Sequence, residues 1–298
     1  GFVHLRKAHY MFGWDWGAHL PDAGIFRPVS LLGINTARID SVYIKQTHER
    51  TGETEPGTVR PITKSVTLTF DVEQEVVGNA ERGPKLKNIT GGHTCKKCGK
   101  AYTYTVEITA PDGSKTLYEN SPVEVKIDDP KLWWPNGYGE QNLYQVKVEL
   151  VTEEVKDIQQ PLKVHVLDVW EKKIGLRTIT VNTDLMEDEV YDSHMVGQKD
   201  DVDDGRNMLL SEGDRMVAIV DKSEKKVKGR NFAYEVNGLQ IFAMGADYIP
   251  EDNILTRQNR ARTDLLLLSA QESHFNTLRV WGGGYFLDDF FYDICDER

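Results

Sequence analysis

Apolar and polar residues alternate in a series of short segments, and this alternation constrains the fold more than any other feature of the chain. It recurs in six segments between positions 38 and 181, namely 41–44, 65–72, 102–108, 123–127, 144–150 and 162–167. A period of two is typical of a β-strand with one buried face. Turn sequences such as Pro-Asp-Gly-Ser at 111–114 separate the segments. The pattern predicts a mainly β fold, an antiparallel β-sandwich.

The residues from 231 to 298 follow a different pattern. Positions 240–246 form an apolar run that suits a strand buried on both faces. Positions 275–281 predict a second strand, which three glycines follow at 282–284. Strand, helix, strand, helix in this order is typical of a βα repeat.

Two helices complete this repeat. Thr256 is expected to cap the first helix, which runs to about Ser273, and the second begins at about Phe286. The helical period predicts apolar faces made of Ala261, Leu265 and Leu268 on the first helix and of Phe290, Phe291 and Ile294 on the second.

Positions 182–230 are acidic, with the run Lys-Asp-Asp-Val-Asp-Asp at 199–204. Carboxylate oxygens could bind Ca²⁺, but the run lacks the ligand spacing of an EF-hand loop. We therefore expect an exposed linker or insertion.

The formal charge of −11 disfavours a nucleic-acid surface, which needs basic residues. No apolar stretch approaches about 18 residues, so no membrane-spanning segment is predicted. The N-terminus lacks a starting Met and a signal-peptide pattern, and three cysteines are too few for a disulfide framework. These features favour a cytoplasmic location.

One pair of cysteines suggests a metal site. Cys95 and Cys98 form a C-x-x-C sequence that looks like one knuckle of a zinc ribbon. Tetrahedral Zn²⁺ needs four ligands; His93 could supply a third, and a second copy of the chain the fourth. The alternative is a hairpin tip with two free thiols.

Two tryptophans flank an aspartate in the loop Gly-Trp-Asp-Trp-Gly at 13–17. In one interpretation Trp14 and Trp16 fill a sandwich core and Asp15 caps a turn. In the other the loop contacts a sugar: an indole face stacks on the pyranose ring, and the carboxylate accepts hydrogen bonds from hydroxyls.

Arg279 and Trp281 end the second predicted strand of the C-terminal segment. The carboxyl ends of strands are where a (β/α)8 barrel builds its active site. The alternative is a structural salt bridge by Arg279 and a tight turn through the glycines, which match no phosphate-binding motif.

Three groups of motifs carry a resemblance to one family. They include Phe-Gly-Trp-Asp-Trp-Gly at 12–17, Leu-Trp-Trp-Pro-Asn-Gly-Tyr-Gly at 132–139 and Leu-Arg-Val-Trp-Gly-Gly-Gly at 278–284. In this order they resemble the sugar-binding, immunoglobulin-like and catalytic-barrel domains of family 2 glycoside hydrolases, and the β-mannosidase branch most of all.

The resemblance implies a division of the chain into four segments. These are the end of a jelly-roll sugar-binding domain at 1–37, an immunoglobulin-like β-sandwich at 38–181, the acidic linker at 182–230, and the truncated start of a (β/α)8 barrel at 231–298. Two βα units cannot close a barrel, so we expect the last segment to be disordered, docked on the sandwich, or paired with a second copy in a homodimer.

The resemblance also implies roles for single residues. Asp15 would hold sugar hydroxyls, Trp14 and Trp281 would line the same subsite, and Arg279 would orient the catalytic carboxylates. Trp133 and Trp134 would pack at a domain boundary instead.

One departure concerns the first barrel strand. Relatives usually end it with Gly-Ala-Asn-Trp, whereas this chain has Asp247 and Tyr248. The added negative charge leaves the identity of the sugar open.

The catalytic pair is expected to lie beyond Arg298. Retaining glycosidases need two carboxyl groups about 5–5.5 Å apart, and in this family both come from later barrel strands. The acidic residues Glu251, Asp252, Asp288 and Asp289 fall on loop or helix positions and are poor candidates.

The resemblance therefore predicts a fragment of a retaining, exo-acting, β-mannosidase-like enzyme that needs no cofactor and is inactive by itself. Within the family, β-galactosidase, β-glucuronidase and exo-glucosaminidase are alternatives, since members differ mainly in pocket residues. A non-catalytic carbohydrate-binding module is the alternative from another class.

Overall fold

The computed structural model describes residues 4–77, 93–94, 101–154, 163–191, 209–212, 215–218 and 226–298. Cys95 and Cys98 lie outside these ranges, and of His93 only the backbone is described. The zinc prediction therefore concerns side chains outside the described part of the chain. Within the described ranges, no helix is long and apolar enough to cross a membrane.

Two antiparallel sheets form the predicted sandwich. The first has the order β1-β2-β6 and the second the order β3-β4-β7-β8, with β5 also paired to β4. The strands are β1 (Ala37–Thr54), β2 (Pro61–Val76), β3 (His93–Thr94), β4 (Ala101–Thr109), β5 (Lys115–Tyr118), β6 (Glu124–Asp128), β7 (Leu143–Glu154) and β8 (Lys163–Gly175). The six alternating segments all fall on these strands, and the mainly β prediction is confirmed.

The core of the sandwich lies between the two sheets. Every second residue of β2 and of β7 points into it, including Val66 and Leu68 from the first sheet and Val146, Val148 and Leu150 from the second, all fully buried. Burying one such side chain contributes about 1.5–3 kcal/mol. The alternation of the sequence is thus the direct cause of the two-layer packing.

The chain divides into two compact units. The smaller contains residues 180–235 and 240–242. The described strands that lie wholly or partly in this unit are β9 (Ile179–Asn182), β10 (Leu185–Tyr191), β11 (Leu209–Glu212), β12 (Arg215–Ala218), β13 (Lys226–Arg230), β14 (Ala233–Val236) and β15 (Leu239–Ile241). Because β10 pairs with β13 and β11 with β12, both antiparallel, the described part of the expected linker contains regular structure.

The larger unit contains a βα repeat after the sandwich. It consists of β16 (Gly245–Tyr248), α1 (Arg260–Glu272), β17 (Thr277–Val280) and α2 (Asp289–Glu297), and β16 pairs with β17 in parallel. Buried Tyr248, Leu267, Phe291 and Ile294 form its apolar core. Short 3-10 helices span His9–Met11 and Leu255–Arg257. The predicted order of elements is confirmed, whereas its membership of a barrel stays a prediction.

Several local predictions are wrong. The run 240–246 is no single buried strand, because β15 ends at Ile241 and Phe242 is 76% exposed.

The first helix also differs from its prediction. Asn259, not Thr256, is the N-cap: its side chain accepts a hydrogen bond from the Arg262 backbone N–H. The buried face carries Thr263 and Leu267, while Leu265 is 65% exposed. The buried face of α1 differs from the predicted one because Thr263 makes a polar contact with the interior, described below.

The βα repeat is docked on the sandwich, which was one of the three expected arrangements. The Trp133 indole Nε1 donates to the Asp296 carbonyl at 2.7 Å. Arg177 lies over the Trp133 ring at 4.3 Å and pairs with the Asp296 carboxylate at 2.7 Å. Asn136 Nδ2 donates to two carbonyls at the end of α1. Trp133 thus packs at this boundary, as expected.

Candidate functional site

Four aromatic side chains from two distant parts of the sequence meet in the larger unit. Ring centroids of Trp14 and Trp16 lie 5.2 and 5.5 Å from that of Trp281. Tyr10 lies 5.5 Å from Trp16 and 6.5 Å from Trp281. We call Tyr10, Trp14, Trp16 and Trp281 the aromatic cluster. Tilted and edge-on contacts of this kind add about 0.5–1.5 kcal/mol each to the burial of the rings.

Trp14 and Trp16 of the aromatic cluster lie on a tight loop. The backbone N–H groups of Trp14 and Gly17 each donate to the other residue's carbonyl, at 3.0 and 3.2 Å. A bridge between Phe12 and His19 closes the loop below them. Asp15 is therefore held at the exposed tip, next to Trp14.

The C-terminal half of the cluster is set by the parallel strand pair. Trp281 follows β17 directly, and its backbone N–H donates to the Tyr248 carbonyl at the end of β16, at 3.0 Å. The Gly284 N–H then donates to the Trp281 carbonyl at 3.2 Å. Trp281 thus lies at the carboxyl ends of β16 and β17, as predicted from the sequence.

The exposure of the two tryptophans excludes the interpretation in which they fill the sandwich core. Trp14 is 49% and Trp16 36% exposed, so neither fills the sandwich core. Tyr10 is the fully buried member of the cluster, and burial raises the pKa of its hydroxyl well above the usual value. The two tryptophans are instead partly accessible to solvent, and Trp16 packs beside the buried Tyr10.

Arg279 pairs with the residue that departs from the family pattern. Its Nη1 lies 2.9 Å from Asp247 Oδ1, across the register pair of β17 and β16. Both side chains are more than half exposed, and exposed pairs contribute about 0–1 kcal/mol to stability. The pair therefore contributes little to the stability of the fold.

The sequence interpretation did not consider Tyr10, gave Trp16 no place in the sugar subsite, and missed a buried network beside the cluster. Tyr10 and Trp16 belong to the cluster, and the spacing of Trp16, two residues after Trp14, was the available signal. Glu251 is only 2% exposed and accepts hydrogen bonds from Tyr248 and Thr263. No periodicity marks these polar side chains, because they come from the end of a strand, a loop and a helix turn.

No group of three or more His, Cys, Asp or Glu residues that could hold a metal ion occurs within the described ranges. The arrangement instead offers half-exposed indole faces, a neighbouring carboxylate and an oriented guanidinium. Indole faces bind the apolar face of a sugar ring, and charged groups bind its hydroxyls. An arrangement of this kind can bind a sugar ring, so this is a candidate carbohydrate-binding site.

Comparison with known proteins gives the family. The model of the glycosyl hydrolases family 2 matches residues 37–177, and that of the glycosyl hydrolase 2 galactose-binding domain-like family matches residues 1–27. Over these residues the chain matches glycoside hydrolase family 2, and it is β-mannosidase-like.

Curated relatives and a solved structure agree with this assignment. The chain is 29% identical to beta-mannosidase B of Emericella nidulans, over 99% of its own length and 26% of the relative's. It is 26% identical to beta-mannosidase A of Neosartorya fischeri, over 99% of its length and 27% of the relative's. A crystal structure of a β-D-mannosidase from Dictyoglomus thermophilum superposes with a TM-score of 0.58 at 26% identity, covering 98% of this chain and 27% of that one. The chain thus spans about a quarter of the length of the relatives it matches.

Proposed function

We propose that the protein containing this chain is a retaining, exo-acting glycoside hydrolase that removes terminal β-linked mannose. The observation that carries the proposal is the contact between Trp14 and Trp281, with centroids 5.2 Å apart. It joins a loop near the start of the chain to the end of β17. Support for mannose comes from the relatives, which are named β-mannosidases.

Each member of the site has a role in this proposal. Trp14 and Trp281 form the wall on which the terminal sugar ring packs. Asp15 accepts hydrogen bonds from its hydroxyls at the exposed tip of the loop. Arg279, held by Asp247 at 2.9 Å, orients a catalytic carboxylate that is supplied by a later part of the protein.

The catalytic pair is proposed to lie outside these residues. Asp252 lies 3.2 Å from the Arg257 guanidinium, Asp288 lies 3.3 Å from that of Arg27, and Glu251 is buried in a hydrogen-bonded network. A retaining mechanism needs one carboxyl as acid/base and another as nucleophile about 5–5.5 Å away. Both carboxyl groups are assigned to later barrel strands, as the resemblance to the family implies. The chemistry uses no cofactor.

A panel of nitrophenyl glycosides tests the proposal. The full-length enzyme should release nitrophenol from the β-mannoside with the highest kcat/KM, and the α-mannoside serves as the stereochemical control. The 298-residue chain alone should release none. A preference for the β-galactoside, β-glucuronide or β-glucosaminide would contradict the mannose assignment, and turnover by the chain alone would contradict the location of the catalytic pair.

The 49% exposure of Trp14 also favours a second candidate, a non-catalytic carbohydrate-binding module. This function predicts that the chain alone binds mannose or a manno-oligosaccharide, which titration calorimetry would detect. The hydrolase proposal predicts little affinity in the chain alone, because the remaining walls of the subsite come from elsewhere in the protein.

A further inference from the structure

A buried carboxylate lies beneath the loop that carries Trp281, and the proposed function gives it no role. Glu251 follows β16, and its side chain is 2% exposed. A buried charge of this kind is costly unless hydrogen bonds and an opposite charge compensate it. The donors around Glu251 therefore show what the carboxylate holds in place.

Three donors converge on one oxygen of this carboxylate. The Tyr248 hydroxyl donates to Glu251 Oε1, Thr263 Oγ1 donates to it at 2.6 Å, and Gln258 Nε2 donates at 3.4 Å. Arg262 Nε lies 3.6 Å from the second oxygen and supplies the compensating charge. These contacts tie the end of β16, the loop after it and the first turn of α1 to one group.

Gln258 extends the network to the loop after β17. While its amide nitrogen donates to Glu251, its Oε1 accepts a hydrogen bond from the Tyr285 hydroxyl. Burial, followed by the charge of Asp288, raises the pKa of Tyr285 to about 12. The hydroxyl therefore stays protonated and donates throughout the working range of pH, so the direction of each hydrogen bond is fixed.

Tyr285 lies in the same loop as Trp281, the loop that joins β17 to α2. Between them, the Gly284 N–H donates to the Trp281 carbonyl at 3.2 Å. A Cβ on Gly284 would lie 3.2 Å from Pro250 Cγ, so the loops after β16 and β17 are in close contact. The Trp281 loop is thus attached to the end of β16 at the Tyr248 carbonyl and to the loop after β16 at Gln258.

We propose that Glu251, Gln258 and Tyr285 are positioning residues that hold Trp281 against the loop of Trp14. They touch no sugar and act only through the Trp281 loop. The kinetic consequence of this inference rests on the proposed function. If the wall of the sugar subsite can move, the substrate and the transition state are both bound more weakly, and to the same extent. Such a loss raises KM and leaves kcat unchanged.

Kinetics of the full-length enzyme test this role, on whichever aryl glycoside the unmodified enzyme hydrolyses. Tyr285→Phe removes one hydroxyl and keeps the ring, so KM should rise about fivefold, the usual effect of one intramolecular hydrogen bond, with kcat within twofold. Tyr292→Phe is the matched control, since Tyr292 is 45% exposed on α2, and it should leave both constants unchanged. An unchanged KM in Tyr285→Phe overturns the inference.

A variant with an added carboxyl group makes KM depend on pH in a way that a purely structural role would not. Gln258→Glu places a second carboxyl beside Glu251, and two adjacent carboxylates resist joint ionisation. When the introduced carboxyl is protonated it can still bridge the two loops, so KM should be near that of the unmodified enzyme at low pH. KM should rise severalfold as that carboxyl ionises. A pH profile of KM parallel to that of the unmodified enzyme contradicts the role.

A spectroscopic measurement on the 298-residue chain separates failure of this inference from failure of the proposed function. With 5-fluorotryptophan incorporated, the Trp281 fluorine resonance is assigned by its loss in Trp281→Phe. It should shift or broaden in Tyr285→Phe and stay unchanged in Tyr292→Phe. If the enzyme hydrolyses no glycoside in the panel, the proposed function fails and this resonance alone decides. A Trp281 resonance unchanged in Tyr285→Phe overturns the inference whatever the enzyme hydrolyses.

Discussion

At the scale of single residues, a glycine fixes how closely the two parallel strands approach. A Cβ built on Gly245 would lie 1.7 Å from the Thr277 carbonyl oxygen, which belongs to the backbone of β17 and cannot turn aside. Only a residue without a side chain fits at this position. The start of β16 therefore depends on Gly245 for its pairing.

We expect Gly245→Ala to lower the free energy of unfolding by about 1–3 kcal/mol, as other forced overpacking does. Denaturant unfolding measures this change. Gly33→Ala is the matched control, because its Cβ would meet nothing within 4 Å, and it should leave stability unchanged. A loss in Gly245→Ala no larger than in the control would show that the strands can separate without cost.

A second residue-scale effect concerns His48 on β1. Partial burial and then the nearby Arg50 charge lower the pKa of His48 to about 4. Between pH 4 and about 6.5, the ordinary pKa of a histidine in an unfolded chain, the unfolded chain binds a proton at this position that the folded chain does not. Stability due to this group is therefore complete above pH 6.5 and is lost as the pH falls toward 4.

The measurement is the midpoint of denaturant unfolding against pH. The unmodified chain should lose stability on acidification from pH 6.5 to 4, and His48→Gln should lose less over the same interval. His274→Gln, at an exposed position, should follow the unmodified chain. Equal slopes in all three proteins would be inconsistent with a depressed pKa of His48.

At the scale of elements, the loop at 132–139 holds the βα repeat on the sandwich. Asn136 Nδ2 donates to the carbonyl of Gln271 in the last turn of α1, at 3.1 Å, and to that of Phe275 just after the helix, at 3.0 Å. The Gln271 carbonyl also accepts from the His274 N–H. Carbonyls of the last turn have no partner within the helix itself. The side chain therefore both caps α1 and attaches it to the sandwich.

Asn136→Asp keeps the shape of this side chain but cannot donate to either carbonyl. We expect it to lower the free energy of unfolding by about 1–3 kcal/mol and to speed amide hydrogen exchange in the last turn of α1. Asn120→Asp, at an exposed turn position with φ 61°, is the control and should change neither. Exchange in α1 that matches the control would mean that Asn136 has no part in docking.

The elements also show which parts of the fold the sequence could predict. Strict alternation predicted all the main sandwich strands, because each has one face in a shared apolar core. The run 240–246 and the buried face of α1 were mispredicted because tertiary contacts decide them: Phe242 is exposed, and Thr263 turns inward to reach Glu251. Polar interactions between distant loops leave no periodic signal.

At the scale of the whole molecule, the candidate site joins two segments that are about 265 residues apart in sequence. The motifs indicated Trp14 and Trp281 as partners, and the larger unit brings their rings to 5.2 Å. Sequence alone did not reveal Tyr10 beneath them or the Asp247–Arg279 pair beside them. The first contact depends on how the N-terminal loop meets the βα repeat and the second on the pairing of β16 with β17, and no local pattern encodes either.

The central claim is that the Trp14 loop and the end of β17 build one sugar subsite. A double-mutant cycle tests it most directly, with kcat/KM measured for the full-length enzyme on its best aryl glycoside. Trp14→Ala and Trp281→Ala should each lower kcat/KM by about 10- to 100-fold, and the double variant should lose at least fivefold less than the product of the two losses, because contacting residues couple. Losses that multiply without coupling, or a single variant with unchanged kcat/KM, would contradict a shared subsite.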